Sequence, residues 1–189
     1  MSEIVVQKFG GTSVGTVDRI DSVAEIIKNA SKSNKIVVVV SAMGGETNRL
    51  VDLAKAFGDD PDKREFDALV STGETVSSAL LTMALHSKGV KAKSFSASQI
   101  SMRTTSSYSK AKILDVDAKK ILDVVENDTI PIITGFQGIT EGGDVTTLGR
   151  GGSDTTAVAI AAAVDAKRCD IYTDAVSYTH LTLPTMRTV

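Results

Sequence analysis

The chain of 189 residues has a single cysteine, Cys169, and two histidines, His86 and His180. One thiol cannot close an internal disulfide, and no Cys or His stands at metal-ligand spacing from it, so a disulfide scaffold and a zinc site are both excluded. With two histidines and no Gly-x-Ser-x-Gly string, a hydrolase triad has little to work with. Charge of one sign is lacking as well. Lys and Arg number 21 against 23 Asp and Glu, a formal net charge of −2, without the basic excess of a protein that holds nucleic acid by bulk charge. No apolar run approaches a membrane span, the β-branched run 36–40 being far too short, so no membrane partner is expected. At the N-terminus Glu3 and Lys8 surround a short apolar run without a cleavage-type segment, unlike a signal peptide. What remains is a cytoplasmic enzyme or binding domain. Its composition, 42% hydrophobic and 23% charged, is that of an ordinary globular chain long enough for one sizeable core.

What is present is an alternation of short β-branched runs with longer helical stretches. Strands are expected over residues 4–9, 36–41, 130–134 and 169–173. Helices are expected over 16–30, 48–57, 75–86, 117–127 and 155–164, with a turn at 58–61. In the first helix Val17, Ile20, Val23 and Ile27 share a stripe; in the third, Val76, Ala79, Leu80 and Met83 do. Strands separated by helices call for parallel pairing through crossovers, hence an α/β three-layer sandwich with a mainly parallel sheet. The near-pure valine run 36–40 has the pattern of a strand covered on both faces. Cys169 reads as a buried small hydrophobe and His86 as a structural cation near a helix C-terminus.

All 15 glycines precede Ser153, and most cluster just after an expected strand or before a helix. In parallel α/β sheets ligands bind at the carboxyl ends of the strands, where glycine lets backbone amides approach anionic oxygens. Gly10 to Thr16 has the glycine spacing of a P-loop but lacks its Lys, and Gly149 to Asp154 has Asp where the dinucleotide fingerprint needs Gly. Lys8, at the carboxyl end of the first strand and followed by Gly10-Gly11-Thr12-Ser13 and a helix, makes a phosphate cradle: a point charge, amide donors and a helix dipole. Ser41-Ala42-Met43-Gly44-Gly45-Glu46-Thr47-Asn48 sets hydroxyls and amides at the end of the second strand. Glu74 stands at a helix start, where the dipole is expected to help keep it ionised. Arg150 can clamp a carboxylate bidentately, and Asp154 can meet an ammonium. Read singly, Arg150 could be a surface ion pair and Glu74 and Asp154 first-turn acids; together they describe a phosphate cradle beside a recognition set for a small zwitterion.

Lys8-Phe9-Gly10-Gly11-Thr12-Ser13, Ser41-Ala42-Met43-Gly44, Ser71-Thr72-Gly73-Glu74, Gly135-Phe136-Gln137-Gly138 and Thr146-Thr147-Leu148-Gly149-Arg150-Gly151-Gly152-Ser153-Asp154 resemble the aspartate kinase family of the amino-acid kinase superfamily. The resemblance implies the fold of that superfamily and transfer of the γ-phosphoryl group of ATP, with Mg²⁺, to the side-chain carboxylate of L-aspartate. The product, 4-phospho-L-aspartate, opens the route to lysine, threonine and methionine. Carried over residue by residue, it implies that Lys8 offsets charge on the transferring group. Gly10, Gly11 and Ser13 would hold phosphate oxygens. Ser41, Thr47, Glu74 and Arg150 would bind aspartate, with Gly151, Gly152, Ser153 and Asp154 completing the pocket and Asp154 joining Lys8 in catalysis. Thr173 and Asp174 would begin the nucleotide-binding segment. No dedicated metal cage is expected, the phosphates holding most of the Mg²⁺. A homo- or hetero-oligomer is expected of the parent protein.

The resemblance breaks near Asp174. Residues 1–175 are expected to form a catalytic domain truncated at its C-terminal side. Residues 176–189, with no acid and one base from Ser177 onward, resemble a translated sequencing adapter more than a continuation of the domain. The chain as written is therefore expected to be a fragment with little or no activity. Two other readings stay open: a different amino-acid or carboxylate kinase of the same superfamily, such as a glutamate or acetylglutamate kinase, and a non-catalytic aspartate-binding protein.

Overall fold

The computed structural model describes residues 3–173 and 178–181. Along the chain run β1 (Ile4–Phe9), α1 (Val17–Ala30), β2 (Lys35–Val40), α2 (Glu46–Lys55), α3 (Lys63–Val70), α4 (Thr72–Ser87), β3 (Ala92–Phe95), β4 (Arg103–Thr104) and β5 (Ile113–Asp115). They are followed by α5 (Ala118–Glu126), β6 (Ile130–Thr134), β7 (Gln137–Ile139), β8 (Val145–Thr147), α6 (Gly152–Ala163), β9 (Arg168–Tyr172) and β10 (Tyr178–Leu181). Five strands in the order β9-β1-β2-β6-β3 pair in parallel, and β10 lies antiparallel along β9 at the edge. A second sheet, β5-β4-β7-β8, was not expected from the sequence. Its strands are two or three residues long, too short for the period-2 pattern to register.

Side-chain alternation divides the core into two layers, as an α/β sandwich requires. On one face Val5, Phe9, Val38, Val40 and Ile132 pack with Ile20, Val23 and Ile27 of α1 and with Leu81 and Leu85 of α4. On the other face Val6, Val37, Val39, Ile133 and Cys169 pack with Ile121 and Val125 of α5 and with Ala157, Ile160 and Ala161 of α6. Cover from both sides explains why β2 is a valine run rather than an alternating strand. The three-layer sandwich and the buried, inert Cys169 are as the sequence implies, burial pushing that thiol up to about 11. His86, in the last turn of α4, uses Nε2 to hydrogen-bond Ala92 O at 2.8 Å.

Two helical stripes differ from expectation. In α1 the buried set starts at Ile20, and Val17 is exposed in the first turn. In α4 the expected stripe is split: Met83 is 63% exposed and Val76 46%, Ala79 and Leu80 are half-buried with Leu80 against the core, and Gly73, Glu74, Ser77, Ser78, Leu81, Thr82 and Leu85 are buried. The cause is the loop after β2. Glu74 Oε1 accepts from Ala42 N at 3.1 Å, and Ser77 Oγ donates to Ser41 O at 2.6 Å. With those residues turned inward, 100° per residue carries Leu81 and Leu85 to the core and Met83 to the far side. The unexpected α3 begins at an Asp62 cap that accepts from Arg64 N and Glu65 N. Together α3 and α4 are long and apolar enough to cross a membrane by composition. Leu81 and Leu85, fully buried in this core, mark α4 as a core helix.

Candidate active site

A cleft of about 950 Å³ opens at the carboxyl ends of β1 and β2, beside the start of α6. Lys8 reaches it because, two residues after Val6, it shares that residue's face of β1, the one covered by α6. Its Nζ sits 2.7 Å from Asp154 Oδ1, the ammonium side chain 8% exposed and the carboxylate 45%. Asp154 is in the first turn of α6, where the helix dipole favours an acid. The turn that leads there needs left-handed backbone at two places, Gly149 (φ 80°) and Gly151 (φ 72°), so glycine flanks Arg150 on both sides. Arg150 is exposed and has no ion-pair or hydrogen-bond partner among the described residues, leaving its guanidinium available to a ligand.

Glu74 enters the cleft from the start of α4. Gly73 makes this possible, because a Cβ there would stand 2.8 Å from Ala42 Cβ and push the helix away. The carboxyl group is 3% exposed; one oxygen takes the Ala42 amide and Oε2 is buried without a partner. Burial outweighs the Ala42 hydrogen bond and pushes the group up to about 7, so near neutral pH Glu74 is only partly ionised, whereas the helix dipole alone is expected to help keep it ionised.

The structure brings together Lys8, Gly10, Gly11, Ser41, Thr47, Glu74, Arg150, Gly151, Gly152, Ser153, Asp154 and Thr173, all of which line the one cleft. Ser13 does not line it, and its amide donates to Gly10 O at 3.0 Å. Gly10 lines it, but its amide is committed to Tyr172 O at 2.9 Å. The amides of Gly11, Gly44 and Ser153 have no acceptor among the described residues. The amides free to meet an anion therefore come from Gly11, the loop after β2 and the start of α6, and they share the cleft with Lys8. Asp174 lies outside the described residues. Thr147, which stands in the string before Arg150 without an assigned role, also lines the cleft, as do Ser109 and Phe66, whose positions outside any glycine string carry no signal in the sequence. A cation, three free amides and two helix N-termini can offset the charge of a transferring phosphoryl group, while Arg150 offers a positive charge and Glu74, once ionised, a negative one to a small zwitterion.

The amino acid kinase family model matches residues 3–176. An aspartokinase of Geobacillus stearothermophilus is 55% identical over 172 residues, covering 90% of this chain and 42% of the relative. Aspartokinase 2 of Bacillus subtilis is 53% identical over 172 residues, with the same shares. The chain thus spans well under half the length of these relatives. Among solved structures, aspartate kinase from Synechocystis superposes with a TM-score of 0.77 at 46% identity, covering 90% of this chain and 28% of that one. E. coli aspartokinase III in complex with aspartate and ADP superposes with a TM-score of 0.83 at 30% identity, covering 91% and 49%. With its glycine strings gathered at one cleft and that match running over almost the whole chain, the protein belongs to the amino acid kinase family.

Proposed function

We propose that this chain is the acceptor-binding and phosphate-cradling part of an aspartate kinase. In this reading the γ-phosphoryl group of ATP passes to the side-chain carboxylate of L-aspartate, giving 4-phospho-L-aspartate on the way to lysine, threonine and methionine. The observation that carries the reading is the Lys8–Asp154 pair set among unpaired amides in the same cleft as Arg150 and Glu74. Lys8 offsets charge on the transferring group, and Asp154 holds the ammonium in place between turnovers. Gly11, Gly44 and Ser153 receive phosphate oxygens. Arg150 grips the α-carboxylate of aspartate, and Glu74 receives its ammonium, with Ser41 and Thr47 beside them.

The similarity to an aspartokinase solved with aspartate and ADP supports both ligands. Thr173, at the end of the cleft, fits the start of a nucleotide segment. Mg²⁺ would enter with the nucleotide and neutralise phosphate charge. Among the described residues no cluster of three His, Cys, Asp or Glu side chains forms a cage for it, so Asp154 and the phosphates are the groups that fit. The parent protein assembles as an oligomer in this reading.

Aspartyl hydroxamate formation from ATP, L-aspartate and hydroxylamine tests the proposal in a chain extended to the length of the relatives. Turnover with aspartate and not with glutamate or N-acetylglutamate is the expected result. Preference for either other acid would move the protein to another branch of the family. Binding of aspartate without turnover would favour a non-catalytic binding protein.

A further inference from the structure

Asp67 lies in α3 with no exposure to solvent, and its carboxylate is filled to capacity. Its Oδ2 accepts from Ser109 N and from Thr147 N, each at 2.8 Å. Its Oδ1 accepts from Ser109 Oγ at 3.0 Å and from Thr147 Oγ1 at 2.9 Å. All four donors are neutral, and they come from two segments that the sequence separates by 38 residues. Ser109 is held at φ 65°, a left-handed conformation that a serine adopts only under constraint. Its carbonyl oxygen stands 3.3 Å from where a Cβ on Gly149 would be, so the turn before Arg150 packs directly against it. Ala111 N donates to Thr147 O at 2.9 Å, a further tie between the same segments. On the outer side Asp144 bridges Arg64 Nε (2.9 Å) and Tyr108 OH (3.1 Å), again joining α3 to both.

We infer that Asp67 is a positioning residue for the acceptor half of the cleft: its carboxylate locks the Ser109 turn and the end of β8 together, and so fixes where Arg150 is presented. A buried carboxylate that met one partner would orphan a single donor on exchange for an apolar side chain. One that meets two backbone amides and two hydroxyls has no apolar substitute, because removing it orphans four donors at once. The strand that it holds ends three residues before Arg150, and the intervening Leu148-Gly149 is tied by Leu148 N donating to Phe136 O at 2.9 Å and by Gly149 O accepting from Gly152 N at 3.0 Å. The identity of the ligand in this inference rests on the aspartate kinase reading; the mechanical linkage does not.

The test uses the 189-residue chain with Asp67→Ala and Asp67→Asn. Hydrogen exchange followed by mass spectrometry reads residues 105–112 and 143–153 against residues 35–41 of the central strand. Titration calorimetry reads L-aspartate affinity. Asp67→Ala is expected to speed exchange in both loop segments at least about tenfold with the central strand unchanged, and to weaken aspartate about tenfold or more, since small misplacements of a binding group are costly. Asp67→Asn is expected to recover affinity to within about threefold, its oxygen keeping both amides while the hydroxyls rotate to accept from its NH₂. If Asp67→Ala does not fold, the Ser109→Ala/Thr147→Val double variant removes two donors and is expected to move both readouts the same way. Unchanged exchange in the two segments, or faster exchange of the whole sheet alongside them, overturns the inference. If the unsubstituted chain binds no aspartate, the functional reading falls, and the exchange comparison still decides whether Asp67 positions the loops.

Discussion

Replacing Glu74 by Gln should change the pH dependence of stability in a calculable way. The carboxyl group is pushed from 4.5 to about 7 because it is buried with one oxygen unpaired. A raised acid binds more protons in the folded state than in the unfolded one, so its contribution is fully present below about 4.5 and is lost as pH rises through about 7. A shift of that size corresponds to about 3 kcal/mol. Gln cannot titrate, can still accept the Ala42 amide, and leaves one unpaired polar atom where the acid left one. Glu74→Gln should therefore gain on the parent chain by up to about 3 kcal/mol between pH 4.5 and pH 8. For a chain of this size that is on the order of 6–12 °C in Tm. Urea midpoints of both proteins at four or five pH values measure it, the other titrating groups cancelling in the difference. A stability difference independent of pH would refute the reasoning and mean that Glu74 is ionised in its pocket. The same shift has a binding counterpart under the proposed function. An arriving ammonium ionises Glu74, so aspartate should bind more tightly as pH rises through 7 and should release a proton, visible by calorimetry in buffers of different ionisation enthalpy.

Three other perturbations separate the roles of individual side chains. In α4, Leu81→Ala should cost about 2–5 kcal/mol through the cavity left in a fully buried layer, whereas Met83→Lys, two residues on and exposed, should stay within about 0.5 kcal/mol in urea unfolding. Lys8→Met in a chain of the relatives' length should lower kcat about 10²- to 10³-fold in the hydroxamate assay with a smaller effect on the KM for aspartate, because the charge it offsets develops in the transition state. Arg150→Ala should leave stability within about 0.5 kcal/mol, since the side chain has no partner among the described residues, and should raise the KM for aspartate; Arg150→Lys should not restore it if the grip on the carboxylate is bidentate.

The layering, and most of the residues that line the cleft, are legible in the chain's own pattern. Strands and helices with strong periodicity, such as the valine run in β2 and the stripe of Ile20, Val23 and Ile27, lie where they are expected, because a residue buried on both faces or on one stripe must be apolar whatever its partners are. Glycine strings next to Lys8, Ser41 and Arg150 were legible for a similar reason: backbone that must approach an anion or turn left-handed accepts few other residues. What depends on distant chain segments is set only in the folded chain. The sequence places the apolar stripe of α4 at Val76, Ala79, Leu80 and Met83, but contacts from Glu74 and Ser77 to the loop after β2 turn Val76 and Met83 outward and leave Ala79 and Leu80 half-buried. It likewise offers Glu74 as an ionised acid, but desolvation is a property of what packs around a group and not of the helix position that it occupies. The amide of Gly10 is spent on Tyr172, a strand far away in sequence, and Asp67 finds its partners 42 and 80 residues downstream. Hydrogen bonds across such separations leave no local periodicity, which is why α3 and its carboxylate became visible only in the folded chain.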